Sequence, residues 1–173
     1  MKRWHMLTVV GRDRPGIVAV LTDTLYRGGA NLGEASMTRL GGNFTIMLMV
    51  ESEFDADGLA RLLVPATQHL GLRLHVDAIE GHLHEHVEPN VRIAVHGADR
   101  PGIVAQITAV LAEQGFNILD LNSDVAGTAD KPIYVMVLDG YAQAGAAALE
   151  RALAPLHANG IELRITPIDT LVG

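Results

Sequence analysis

Asp13-Arg14-Pro15-Gly16-Ile17-Val18-Ala19 recurs, letter for letter, as Asp99-Arg100-Pro101-Gly102-Ile103-Val104-Ala105. The offset is 86 residues, about half of a 173-residue chain. It is kept by Thr22 and Thr108, Leu25 and Leu111, Gly29 and Gly115, and Asn31 and Asn117. Between residues 9–32 and 95–118, 13 of 24 positions are identical. The chain is therefore read as two copies of one small unit. The second copy is four residues longer in its middle, at Gly127-Thr128-Ala129-Asp130.

Periodicity gives both copies the same order of elements. Residues 4–10 and 91–96 are short β-prone runs. Helices come next over about 15–28 and 101–114, with stripes Ile17, Val18, Leu21, Leu25 and Ile103, Val104, Ile107, Leu111. Gly28-Gly29 and Gly115 are helix stops. Strands over 31–40 and 43–51 meet at Gly41-Gly42, a two-residue hairpin signal. Their counterparts are 117–126 and 132–139, with a longer turn. Second helices are expected over about 55–70 and 142–158, each kinked or broken by a proline, Pro65 or Pro155. A last strand alternates Leu72, Leu74, Val76 with Arg73, His75, Asp77, and Ile161, Leu163, Ile165 with Glu162, Arg164. The fold class is α+β: two ferredoxin-like βαββαβ units, each an antiparallel sheet with its helices on one face. The expected division is 1–80, a linker over 81–89, and 90–173.

Composition narrows the function. Apolar residues make up 49% and charged residues 19%, a globular balance. There is no cysteine, so disulfides, thiolate metal sites and a cysteine nucleophile are excluded. The net charge is −7, with −2 on residues 1–86 and −5 on 87–173. That argues against direct nucleic-acid binding, which needs clustered cations. No apolar run reaches bilayer-spanning length and the N-terminus does not read as a secretory signal, so a cytoplasmic protein is expected. The third strand is apolar on both sides, with Phe44, Ile46, Leu48, Val50 against Met47 and Met49, and Ile133, Val135, Val137 against Tyr134, Met136, Leu138. Cover by the other copy or by another chain is expected, because large exposed apolar patches are uncommon on monomers.

The repeated turn carries the functional reading. Proline suits a first helical turn, which leaves Asp13 or Arg14 as the cap. Glycine inside a first turn costs about 0.5–1 kcal/mol relative to alanine. Its presence twice suggests that something approaches the amides at the positive end of the helix, where a carboxylate binds. The alternative is that Gly16 and Gly102 only avoid a neighbouring strand. Asn31 and Asn117 offer a donor and an acceptor to a zwitterion, or serve only as turn residues.

A strand, an Asp-Arg-Pro-Gly-Ile turn opening a helix, and Gly-x-Asn opening the next strand resemble the ACT domain family. Its members are small regulatory modules that bind amino acids or similar metabolites. The tandem pair most resembles the glycine cleavage system transcriptional repressor group. The same frame also occurs in modules attached to formyltetrahydrofolate deformylase and phosphoserine phosphatase. The resemblance implies ligand contacts at Asp13, Arg14, Pro15, Gly16, Ile17, Asn31 and Leu32, and at Asp99, Arg100, Pro101, Gly102, Ile103, Asn117 and Ile118, with ligands sitting between domains. It implies a non-enzymatic sensor of glycine or another small amino acid, acting through a partner protein and forming a homo-oligomer, with no cofactor; the alternatives are a structural dimerisation module without ligand, or a metal-responsive protein acting through His82, His84 and His86.

Other motifs carry less. Gly11 to Gly16 has P-loop glycine spacing but lacks the Lys-Ser/Thr pair. His82, His84 and His86 alternate in the linker and could gather a metal, though a solvated linker is the plainer reading and no metal site is expected. Ser36, Ser52 and Ser123 sit in no nucleophile motif. Glu34 and Asp120 repeat with the same offset and read as exposed strand acids or interdomain contacts rather than a catalytic pair.

Overall fold

The structure is a computed structural model that describes residues 2–80, 87–98, 101–128 and 130–168. The chain divides at Glu85/His86 into two compact units. The first contains β1 (Arg3–Arg12), α1 (Ile17–Arg27), β2 (Asn31–Leu40), β3 (Asn43–Ser52), α2 (Ala56–His69) and β4 (Arg73–Ile79). The second contains β5 (Val91–Ala98), α3 (Ile103–Glu113), β6 (Asn117–Thr128), β7 (Lys131–Tyr141), α4 (Ala146–Leu153), a 3₁₀ segment (Ala154–Asn159) and β8 (Ile161–Pro167). The sheet orders are β2-β3-β1-β4 and β6-β7-β5-β8, antiparallel at every pairing. Each unit is thus the expected βαββαβ fold.

Alternation explains each core. In β3, Phe44, Ile46, Leu48 and Val50 are buried while Met47 stays 44% exposed on the other face. Leu7 and Val9 of β1, Ile17, Leu21 and Leu25 of α1, and Leu59 and Leu63 of α2 complete the first core. The second core repeats it with Ile93, Val95, Ile103, Ile107, Leu111, Met136 and Leu138.

Both first helices end in a Schellman motif. Gly29 and Gly115 take φ 72° and 66°. The amides of Ala30 and Phe116 reach back to Leu25 O and Leu111 O, each at 3.0 Å. The next residue differs between the copies. The second unit places Phe116 against Gly140, where an added Cβ would lie 2.4 Å from the ring and 2.3 Å from Asn117 O. In the first unit the equivalent positions hold Ala30 and Val50. Register confirms the match, since Leu32 pairs with Val50 and Ile118 with Gly140. One slot is filled from the strand in one copy and from the helix end in the other.

Two expectations change. Gly41 and Gly42 do form a tight hairpin, with φ 56° and 76°, but the four extra residues of the second copy do not make a longer turn. Gly127 and Thr128 extend β6, which pairs with β7 out to Thr128 and Lys131. Pro155 ends α4 and shifts the chain to 3₁₀ geometry, whereas α2 runs on through Pro65. Unlike Pro155, Pro65 sits in a helix anchored by an Asp55 cap, which accepts from Gly58 N at 2.7 Å. The linker histidines lie outside the described residues. Beyond them, Asn90 is tied to the second unit through Gly140 O, Ala142 O and Ala142 N.

Arg92 of β5 donates Nε and Nη2 to both oxygens of Asp139 on β7, at 2.7 and 2.6 Å. These hydrogen bonds, with the cation's field, hold the Asp139 carboxyl below its ordinary value. A depressed carboxyl stabilises the fold above the unfolded-state pKa of about 3.9, and that stability is lost as pH falls through the folded value. Asp139→Asn is therefore expected to lower the second unit's melting temperature at pH 7. The difference from the parent should shrink toward pH 3, as followed by thermal denaturation across that range.

Candidate functional site

The repeated turn is explained first by its backbone. Gly16 has φ 87° and ψ −6°, and Gly102 has φ 90° and ψ −4°. These are the angles of the third residue of a type II turn, for which Pro-Gly is the matching pair. Neither Asp13, Arg14 nor Pro15 begins the helix: Gly16 is the N-cap and α1 starts at Ile17. Glycine is present because its φ is positive, not because a neighbour crowds it. A Cβ on Gly16 would meet nothing within 4 Å, and one on Gly102 only Gln106 Nε2 at 3.8 Å.

The Asp13 side chain, freed from capping, reaches across to β2. Its carboxylate pairs with Arg39 Nε at 2.8 Å. Its own amide donates to Gly42 O at 3.0 Å, fastening the turn to the β2–β3 hairpin. Neither α1 nor α3 has a side-chain cap. The start of α1 consequently presents amides and positive dipole to a cleft of about 300 Å³. The cleft is lined by Asp13, Arg14, Gly16, Ile17, Val18, Ala19, Met37, Arg39 and Phe44. Arg14 has no ion-pair partner among the described residues. The Asp13–Arg39 pair is exposed enough to contribute only about 0–1 kcal/mol, so an incoming zwitterion can divide it between its two charges.

Met37, Arg39 and Phe44 were not among the expected ligand contacts. Hairpin register identifies them: with Gly41-Gly42 as the loop, Arg39 opposes Phe44 and Met37 opposes Ile46, all on the helix side. Asn31 and Leu32 are placed elsewhere. They begin β2 at its far end, eight residues from Arg39, and Asn31 pairs with Glu51. About 25 Å of strand separates them from the cleft, so the first unit does not bring them to the turn. Pro15 is exposed, and Ile17 is mainly a core residue, 2% exposed.

The second unit repeats the left-handed glycine at the helix start but differs in the residues across the hairpin. Asp99 and Arg100 lie outside the described residues. Pro101 and Gly102 are exposed and Ile103 is buried. Asn117 is exposed and Ile118 packs against the core. At the register positions of Met37 and Arg39 stand Ser123, opposite Met136, and Val125, opposite Tyr134. The cation is thus replaced by valine. A different depression, about 400 Å³, lies at His96, Gly97, Ile133, Gly160 and Glu162.

Comparison with known proteins agrees with this architecture. Two family profiles, each described as ACT domain, match residues 5–77 and 91–158. The chain belongs to the ACT domain family. It is 25% identical over 123 residues to the glycine cleavage system transcriptional repressor of Escherichia coli, covering 70% of this chain and 65% of that protein's length. Over 83 residues it is 39% identical to the UPF0237 protein YjhC of Lactococcus lactis, covering 46% of this chain and 95% of that one. Among solved structures, a protein of unknown function from Galdieria sulphuraria superposes with a TM-score of 0.80 at 24% identity, over 98% of this chain and all of that one. These likenesses establish the fold. No helix among the described residues is long and apolar enough to cross a membrane.

Proposed function

We propose that the chain is a non-enzymatic regulatory protein that binds a small α-amino acid in the cleft of its first unit and passes the signal to a partner protein of amino-acid metabolism. One observation carries this reading: an uncapped helix start opens onto a cleft that also holds a carboxylate and two guanidiniums. The ligand's carboxylate meets the α1 amides with Arg14 or Arg39, and its ammonium meets Asp13. The name of the Escherichia coli relative, a glycine cleavage system transcriptional repressor, supports a transcriptional or metabolic setting; a cytoplasmic location and a homo-oligomer are part of the same proposal. Binding that favours one conformation over another supplies about 1–3 kcal/mol of coupling, enough for a switch.

The test is a thermal-shift panel of amino acids on the full chain. A ligand at ten times its Kd adds about 1.4 kcal/mol, which raises the melting temperature of a unit this size by several degrees. Arg39→Ala is expected to abolish the rise while leaving the unliganded melting temperature within about 2 °C, since the ion pair is exposed. Calorimetry should find one site per chain, because Val125 replaces the cation in the second unit. A panel that leaves the melting temperature unmoved at millimolar concentration overturns the proposal.

A further inference from the structure

We infer that the first unit's cleft selects an amino acid with an apolar side chain over glycine; this rests on the amino-acid reading above. Two apolar side chains flank the charged groups yet find no cover within the unit. Val18, on the first turn of α1, is 40% exposed, and Met37, on the helix side of β2, is 52% exposed. Met37 occupies a core-facing register position, since its partner Ile46 is buried. It nevertheless stays half exposed, and it lines the cleft together with Val18 and Ala19 of α1. Buried Phe44 extends the same apolar lining between them.

The cleft therefore combines one charged pair, suited to an α-amino and α-carboxyl group, with an apolar wall that those groups cannot cover. Glycine leaves Val18 and Met37 in water. A ligand with three or four side-chain carbons covers them, and each methylene so buried multiplies affinity roughly four-fold. The unbranched thioether of Met37 adapts to such a chain without strain. The second unit provides an internal contrast. Where Met37 and Arg39 stand, it has Ser123 and Val125, so the thioether and the cation are lost together.

Calorimetric titration of the full chain with glycine, serine, leucine and methionine tests this. Leucine or methionine is expected to bind about ten-fold tighter than glycine or more. Met37→Gln keeps length on an exposed position and should reduce the leucine-to-glycine ratio about three-fold or more. Val18→Ser, also at an exposed position, should act in the same direction. Equal or tighter glycine binding, or a ratio unmoved by both variants, overturns the inference while leaving amino-acid sensing intact. Absence of binding by every amino acid overturns sensing itself and the inference with it.

Discussion

Gly140→Val should destabilise the second unit by about 3 kcal/mol or more, and Phe116→Ala by about 3–5 kcal/mol, yet the double variant should lose clearly less than the sum of the two. The single glycine change places carbon where Phe116 and the Asn117 carbonyl already stand, at 2.4 and 2.3 Å. The ring can move; the carbonyl belongs to the backbone and cannot swing away cheaply. Truncating Phe116, only 6% exposed, opens a cavity among Leu111, Leu138 and their neighbours. Made together, the two changes remove the ring collision and let the new valine fill the space the ring leaves, as Val50 does beside Ala30 in the first unit, so that only the Asn117 carbonyl still has to shift. Urea unfolding monitored by circular dichroism gives the cycle. The single tryptophan, Trp4, reports the first unit separately. A coupling energy near zero would mean that the two slots are not equivalent.

Gly16→Val is the second large effect. It should destabilise the first unit by about 2–3 kcal/mol, against about 1 kcal/mol for Gly16→Asn. The φ of 87° is open to glycine, tolerated by asparagine and strongly disfavoured for a β-branched residue. No atom lies within 4 Å of the added Cβ, so the loss is purely conformational. Gly102→Val should behave alike, with φ 90°. Denaturant midpoints of the three variants provide the measurement. Equal losses for valine and asparagine would show that crowding, not backbone angle, sets the need for glycine.

These two cases also show how much of the fold is legible in the sequence. The exact heptapeptide repeat and the period-two and period-3.6 patterns are strong local signals, and they suffice for the duplication and the βαββαβ order. The stops at Gly29 and Gly115 and the hairpin at Gly41-Gly42 are legible because positive φ has few substitutes. The helix start is not, since Pro at a first turn and Pro-Gly in a type II turn look the same until φ is known. The extra residues at 127–130 are ambiguous for a similar reason: hairpin lengthening and loop lengthening have the same composition.

The cleft is half legible. Asp13, Arg14, Gly16 and Ile17 are local to the motif. Arg39, Met37 and Phe44 come from a hairpin some 25 residues on, and only register across Gly41-Gly42 brings them to α1. The family resemblance groups Asn31 with Asp13 as contacts of a ligand held between domains, which no local signal within one unit supplies. In space, α1 carries the chain about 16 Å away before β2 begins.

The exchange of bulk between residues 30 and 50 in one copy, and 116 and 140 in the other, limits how the two repeats can be recombined. A hybrid spliced anywhere between the glycine that ends the first helix and the end of the third strand joins alanine to glycine, leaving a void, or phenylalanine to valine, forcing a collision. Repeats that share a heptapeptide word for word are therefore not interchangeable parts, and shuffled versions of this gene remain viable only when the crossover moves both partners of the slot at once.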